Sequence, residues 1–372
     1  MNISHISVST LPVLHRFGGA IERRIVEIAR EQARRGHRVS VYSVGDTTET
    51  REVSGVTYHF LKCRTRLPLR HLEFQYHVVR ALTKRAAADV LHFHSQPEGA
   101  WMSEAVGARK VLSYDFFRFR GGRRTPLYHV YKRVLRSFDL LLPCSRYCLE
   151  ESQSFWSFPA SKLRILYNGV NTRQFRPDPK AAAREREQLG IEGQVMLYVG
   201  RVCEQKGSDV LLRAARTLRE RRRDVRLVVA GPIGQFGLTD DPDGWVGRIE
   251  EVGGFYLGAV EERRLNAIYN LADVFVMPTR ANEMFGMAAV EAQACGKPVV
   301  ASDSGGLKEV VPSSCGARVP VGDSARMADE VEKLMDDAER YAACSANARI
   351  NAATYDWARI CDTCDDLYRI AS

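Results

Sequence analysis

The feature that most constrains this chain is a repeated alternation of short apolar runs with amphipathic helical stretches, which runs once, breaks, and runs again. In the first series, residues 3–8, 38–43, 56–61, 89–94, 110–115 and 140–145 read as strands. A helix after Gly18-Gly19 is stopped by Gly36, and another reaches through Arg80 toward residue 88. In the second series, 195–199, 226–230, 274–277 and 298–301 are strands. Helices cover 209–222, 265–271 and 287–295, the last closed by Gly296. Alternation of this kind predicts parallel β-α-β units with right-handed crossovers, hence α/β sheets in tandem. Further helices are expected over 324–335, 338–354 and 356–370.

The break lies at Asn168-Gly169, a turn signal, and at Pro177-Asp178-Pro179, a stiff polar segment that reads as a linker. The expected organisation is therefore one domain over 1–175 and a second over 180–352, with the helix of 353–372 packing back toward the first. A length of 372 residues suits two domains, each large enough to bury its own core. In such folds ligands bind outside the carboxyl ends of the strands, and two tandem domains are expected to face each other across a cleft.

A formal net charge of +9 favours anionic partners. The charge is spread out, and its densest cluster, Arg219, Arg221, Arg222 and Arg223, falls at a helix end where cations complement the dipole. No helix carries a basic stripe interleaved with exposed aromatics, so nucleic acid is not an expected partner. No apolar run approaches the ~18 residues of a membrane span, and the start of the chain lacks signal-peptide character, so a cytoplasmic location is expected. The nine cysteines lie mostly in apolar segments and read as reduced thiols. Cys361 and Cys364 form a lone C-x-x-C with no second pair at zinc spacing, so no metal site is expected.

Four segments could carry chemistry. The strongest is residues 277–291, where Glu283 stands in a loop after a strand and Gly286 allows backbone to approach a ligand. The free N–H groups that open the next helix can hold a phosphate. Glu291 lies inside that helix among Ala288, Ala289, Val290, Ala292 and Ala294, an apolar setting in which a carboxylate needs a partner. It is suited to ribose hydroxyls, and Glu283 to sugar hydroxyls. The second segment is Gly200-Arg201 with Lys206-Gly207, whose two cations can converge on a diphosphate. The third, with Gly18 and Gly19 after the first strand, looks like a phosphate-approach loop but lacks the full glycine signature. In the fourth, alternation puts His92 and His94 on one face of a strand. His92 reads as a satisfied core histidine, and His94, at the carboxyl end, as a site residue.

Together these segments resemble the retaining glycosyltransferases of family four, which have the GT-B fold of two Rossmann-like domains. The resemblance rests on the E-x-F-G-x-x-x-x-E run of Glu283 to Glu291, Gly200-Arg201 with Lys206-Gly207, Asn168-Gly169, Gly296-Lys297-Pro298 and Gly305-Gly306, in that family's order. It implies an acceptor-binding N-terminal domain and a C-terminal domain that binds a nucleotide sugar, UDP- or GDP-linked. It implies that Arg201 and Lys206 hold the diphosphate and stabilise the leaving nucleotide. Glu291 would then hold the ribose, Glu283 with the backbone of 285–287 the transferred sugar, and Gly18-Gly19 the phosphate and acceptor side. No metal or cofactor is implied. The expected reaction is front-face transfer with retention to a hydroxyl of a small-molecule, glycan or lipid-linked acceptor, whose identity stays open together with the oligomeric state.

The sequence departs from the family at Ser113-Tyr114-Asp115, where relatives carry a histidine; Tyr114 is read as standing in its place near the reacting sugar. Asp115 and Arg118 are expected to shape the acceptor pocket. The alternatives are a catalytically degenerate nucleotide-sugar binder and a GT-B epimerase or phosphorylase. Residues 67–74 mix apolar and basic side chains and allow a weak peripheral membrane contact, although such a segment is more often a packed helix start.

Overall fold

The computed structural model describes all residues except 16–18, 67–68, 85–87, 104–105, 116–124, 223, 235–240 and 371–372. The chain divides into two compact units, Met1–Asn168 with Trp357–Ser372, and Gly169–Asp356.

The first unit runs β1 (Asn2–Ile6), α1 (Ala20–Arg34), β2 (Arg38–Gly45), β3 (Glu49–Val53), β4 (Val56–Lys62), α2 (Leu69–Leu82), β5 (Val90–His94), α3 (Gly99–Met102), β6 (Arg109–Tyr114), α4 (Pro126–Arg136), β7 (Leu140–Pro143) and α5 (Arg146–Trp156). The second runs α6 (Pro179–Leu189), β8 (Gln194–Val199), α7 (Ser208–Arg221), β9 (Val225–Ala230), α8 (Pro242–Glu251), β10 (Phe255–Tyr256), α9 (Glu262–Leu271), β11 (Val274–Met277), α10 (Met287–Ala294), β12 (Val299–Ser302), α11 (Leu307–Val310), β13 (Gly316–Val319), α12 (Ser324–Asp336) and α13 (Ala338–Thr354). The last helix, α14 (Trp357–Ile370), belongs to the first unit.

The first sheet has the order β3-β4-β2-β1-β5-β6-β7 and the second β10-β9-β8-β11-β12-β13. All pairings are parallel except β3 with β4. That antiparallel edge follows from Ser54-Gly55, a two-residue turn with φ of 54° and 77°, the positive values that a tight hairpin demands. Central strands are buried along their length, as in β5 and β11, because helices cover both faces of a parallel sheet. In the second unit Val210, Leu211 and Leu218 of α7 pack with Met327 and Val331 of α12 over Val274 and Val300. In the first, Ile25 and Ala29 of α1 pack on Val39, Val41 and Val56. Chain order reverses between β1 and β5 in one sheet and between β8 and β11 in the other, so each unit has a switch point at the carboxyl ends of those strands.

Pro177-Asp178-Pro179 is not a linker. Pro179 opens α6, Asp178 caps it by accepting from Ala181 N–H at 3.0 Å, and Asp178 N–H donates to Asn270 on α9 at 2.7 Å. Proline at a first helical position and aspartate before it form a helix start, which outweighs the stiff-spacer reading. The basic cluster also has a more specific partner than the helix dipole. Arg221 donates to Asp329 at 2.7 Å and Glu332 at 3.0 Å, and Arg222 to Asp336, all on α12; Arg223 lies outside the described residues. All nine cysteines are free thiols. Among the described residues no helix is long and apolar enough to cross a membrane.

Candidate active site

The switch point of the second unit brings the two strongest sequence segments together. The loop leaving β8 passes Gly200 and Arg201, makes a 3-10 turn at Glu204–Lys206, and enters α7 through Gly207. Gly207 has φ of 75°, and a Cβ there would stand 1.9 Å from the Pro278 carbonyl, so only glycine lets the loop after β11 lie against it. Arg280 and Ala281 N–H groups donate to the Gln205 carbonyl at 3.1 and 3.0 Å. Tyr198, buried in β8, donates from its hydroxyl to the Arg201 carbonyl at 2.6 Å. On this scaffold Lys206 Nζ donates to Glu283 Oε2 at 2.6 Å. The lysine and glutamate side chains are 25% and 17% exposed, so the pair contributes about 1 kcal/mol or less to stability. A contact worth so little to the fold does not by itself explain why two loops are held together by close glycine packing.

The Glu283 loop is clasped from its other side by the turn after β12. Gly306 N–H donates to the Glu283 carbonyl at 2.7 Å. Gly305, at φ of 53°, would place a Cβ 2.1 Å from the same oxygen. Phe285 points away from the loop into the core, edge-on to Tyr355 with ring centres 5.3 Å apart. Gly286, at φ of 101°, then caps α10, and Met287 is its first residue. The early N–H groups of a helix lack carbonyl partners within it, so this end is suited to an anion.

Glu291 faces inward from α10 and is 3% exposed. Tyr269 on α9 donates from its hydroxyl to Glu291 Oε2 at 2.7 Å. The sequence required a partner for this carboxylate without identifying it, because Tyr269 sits in an amphipathic helix pattern where an aromatic reads as core. Arg280 with Asp209, joined by a 3.0 Å hydrogen bond from Nε, was also not foreseen.

The first unit gathers polar side chains at its own switch point. His94 ends β5, is fully buried, and its Nε2 lies 3.0 Å from His5 Nδ1. His92 is the satisfied core histidine that the sequence suggested, bonded to Ser113 Oγ at 2.7 Å and Tyr368 Oη at 2.6 Å. Burial lowers the basicity of all three histidines, His5 to about 4. Gly19 caps α1, and Glu22 in the next turn is buried, which raises its pKa. Arg24, 1% exposed, donates from Nη1 to Asp115 at 2.8 Å and to Asn168 at 3.0 Å. Gly18 and Arg118 lie outside the described residues.

Tyr114 requires a correction. Its side chain is fully buried, with Ser152 of α5 near its hydroxyl, and burial pushes its phenol upward. Successive side chains on a strand point to opposite faces, so Tyr114 enters the layer under α5. Asp115, the next residue, is the side chain of this strand end that reaches the Arg24 cluster. Of the two residues that the sequence named at this strand end, it is Asp115 that faces this cluster.

Among the described residues, His5, His92 and His94 alone group closely enough to suggest a metal, with ligand atoms within 4.8 Å. Their ring nitrogens are engaged with one another, Gln32, Ser113 and Tyr368, save His94 Nδ1. The adjacent Arg24 charge also opposes a cation. The set reads as a hydrogen-bonded network.

Two mostly parallel α/β sheets in tandem, each with a loop cluster at its switch point, define a protein of GT-B architecture. Residues 180–351 match the model for glycosyl transferases group 1, and residues 17–174 that for Glycosyltransferase Family 4. The chain belongs to this family and is a glycosyltransferase that uses a nucleotide-sugar donor. It is 30% identical to a D-inositol 3-phosphate glycosyltransferase of Thermobispora bispora, over 98% of this chain and 94% of that one. It is 32% identical to a GDP-mannose-dependent alpha-(1-6)-phosphatidylinositol monomannoside mannosyltransferase of Mycolicibacterium smegmatis, over 55% of each. Among solved structures, sucrose-phosphate synthase from Thermosynechococcus elongatus superposes with a TM-score of 0.81 at 22% identity, covering 99% of this chain and 98% of that one. Anabaena HepE in complex with UDP and glucose superposes with a TM-score of 0.80 at 20% identity, covering 100% of both chains.

Proposed function

We propose that this enzyme moves a hexose from a UDP- or GDP-sugar to a hydroxyl of an inositol-containing or similar polyol acceptor, with retention and without a metal. The observation that carries the reading is Lys206 placed on Glu283 at 2.6 Å, near the start of α10. Arg201, Lys206 and the helix N–H groups take the diphosphate, Glu283 the hexose and Glu291 the ribose. The bond from the anomeric carbon to the phosphate oxygen breaks as the acceptor oxygen bonds to the same face. The acceptor's proton passes to the departing phosphate. Positive charge already aimed at that phosphate lowers the barrier, which makes a carboxylate nucleophile unnecessary. The names of the two relatives, each with an inositol compound as acceptor, support the acceptor class.

The test is transfer from UDP- and GDP-sugars to D-inositol 3-phosphate in the presence of a chelator, with the product's anomeric configuration read by NMR. A product with the donor's configuration supports the reading. An inverted product, or transfer only after a divalent cation is restored, overturns the mechanism. A weak peripheral membrane contact is supported by Leu69, Leu72 and Tyr76, which α2 exposes on one face while burying Phe74 and Val78. Sedimentation with anionic vesicles at low salt tests it, and no bound protein there would reject it.

A further inference from the structure

A chain of hydrogen bonds fixes the proton position on His94. Gln32 Nε2 donates to Asp365 Oδ1 at 3.1 Å, which sets the amide so that Gln32 Oε1 faces His5. That oxygen accepts from His5 Nε2–H at 2.8 Å. His5 is held neutral by burial, so its Nδ1 carries only a lone pair. At 3.0 Å it must accept, so the donor is His94 Nε2–H. His94 Nδ1 is therefore a bare lone pair. It is buried and, among the described residues, has no hydrogen-bond partner. His92, stacked on His94 with ring centres 4.3 Å apart, spends both its nitrogens elsewhere.

A second buried group with unsatisfied donors, Arg24, lies near enough for its charge to lower the basicity of His94. Arg24 is 1% exposed, and its Nη1 is taken by Asp115 and Asn168, while Nε and Nη2 have no partner among the described residues. Asn168 Nδ2 donates to the same Asp115 oxygen at 3.2 Å, which locks the anchor. The residues come from adjoining strand ends. His94 closes β5 and pairs in register with Ser113, two residues before Asp115, and Arg24 is in the opening of α1, which follows β1. β1 and β5 are the strands between which chain order reverses. Asp115, 24% exposed, marks the solvent side.

Unpartnered donors and one unpartnered acceptor, all buried, select the chemistry of what they bind. A phosphate or carboxylate would suit Arg24 but set oxygen lone pairs against that of His94. A cation would suit His94 but be repelled by Arg24. A hydroxyl satisfies both, accepting at oxygen and donating its hydrogen. We propose that Arg24 and His94 hold one hydroxyl of the acceptor, with Arg24 donating to its oxygen and His94 Nδ1 accepting its hydrogen. Asp365, Gln32 and His5 are positioning residues that keep His94 in the accepting tautomer. The inference rests on the reading of the enzyme as a transferase to a polyol-type acceptor.

The experiment uses full-length protein labelled with ¹⁵N at histidine, with His94 identified by loss of its signals in His94→Gln. Long-range ¹H–¹⁵N spectra at neutral pH should show His94 protonated at Nε2 alone. Gln32→Leu should mix or reverse the tautomer. Added myo-inositol should move the Nδ1 resonance, and Arg24→Lys should weaken that binding roughly 10–100-fold. An Nδ1-protonated His94 would overturn the relay. A His94 signal unmoved by both myo-inositol and D-inositol 3-phosphate would mean that the groups enclose only a structural water, and would overturn the subsite. If Arg24→Lys does not fold, the wild-type spectra still decide. No turnover is measured, so failure of the transfer assay and failure of this subsite are separate results.

Discussion

Lys206 Nζ donates to Glu283 Oε2 at 2.6 Å, joining the loop after β8 to the loop after β11 at the point where strand order reverses. On the proposed assignment of lysine to the phosphates and glutamate to the sugar, the contact would sit where the bond between them breaks. Lys206→Ala should lower kcat/KM for the donor roughly 10²–10³-fold, in line with removing one preorganised charge from a transition state. Glu283→Gln should leave affinity for the free nucleoside diphosphate within a few-fold of wild type while turnover of the nucleotide sugar falls. Steady-state kinetics with calorimetric nucleotide titration checks both.

Tyr269 is expected to matter through Glu291. Tyr269→Phe removes a donor to a buried carboxylate, and leaving such a group short of a partner costs about 1–3 kcal/mol. The second unit should melt earlier, and, if Glu291 holds the ribose as proposed, affinity for the nucleotide should fall because that carboxylate is no longer oriented. Thermal denaturation and nucleotide titration of the same variant report the two effects.

Gly305→Ala tests the clasp on the Glu283 loop. The residue has φ of 53°, and its Cβ would meet the Glu283 carbonyl at 2.1 Å. Left-handed backbone costs an alanine about 1–2 kcal/mol, and the clash must displace the loop. Turnover should drop by more than an order of magnitude, whereas Gly247→Ala, with nothing within 4 Å of the added Cβ, should keep wild-type turnover.

The buried histidines predict an acid-labile first unit. Burial lowers His5 from 6.5 to about 4, and His92 and His94 well below 6.5. A group whose folded pKa is depressed binds its proton in the unfolded chain first. Stability is therefore full above about pH 6.5 and falls as pH drops toward 4, by on the order of 3 kcal/mol from His5 alone. Urea midpoints at pH 7.5 and pH 5 should differ in that direction. His5→Phe should flatten the slope even though it lowers stability at neutral pH.

The strand-helix alternation was legible because its signal is local and repeated many times. The apolar runs of β5 and β11 are the strands around which each switch point forms. β10 and β13 were missed because they are short edge strands, of two and four residues. β3 was missed because Glu49–Val53 is polar and exposed, although Ser54-Gly55 carried its hairpin signal. The residues of the Glu283 loop were legible as a motif, but the closeness of Lys206 was not, since nothing in sequence spacing places residues 77 apart in contact. Tyr114 shows the sharpest limit. The end of β6 was found, but a shift of one residue along a strand exchanges the site face for the core face. Arg24 was invisible for a different reason: it reads as one more charge on an amphipathic helix until Asp115 and Asn168 are seen around it.

The most direct test of the account is calorimetric titration of UDP-glucose and GDP-mannose into wild type and Lys206→Ala, with a chelator present. The account predicts that one of the two donors binds wild-type protein without a divalent cation, and that Lys206→Ala weakens it roughly 10–100-fold. Equal affinity in the two proteins, or no binding until a divalent cation is added, would contradict it.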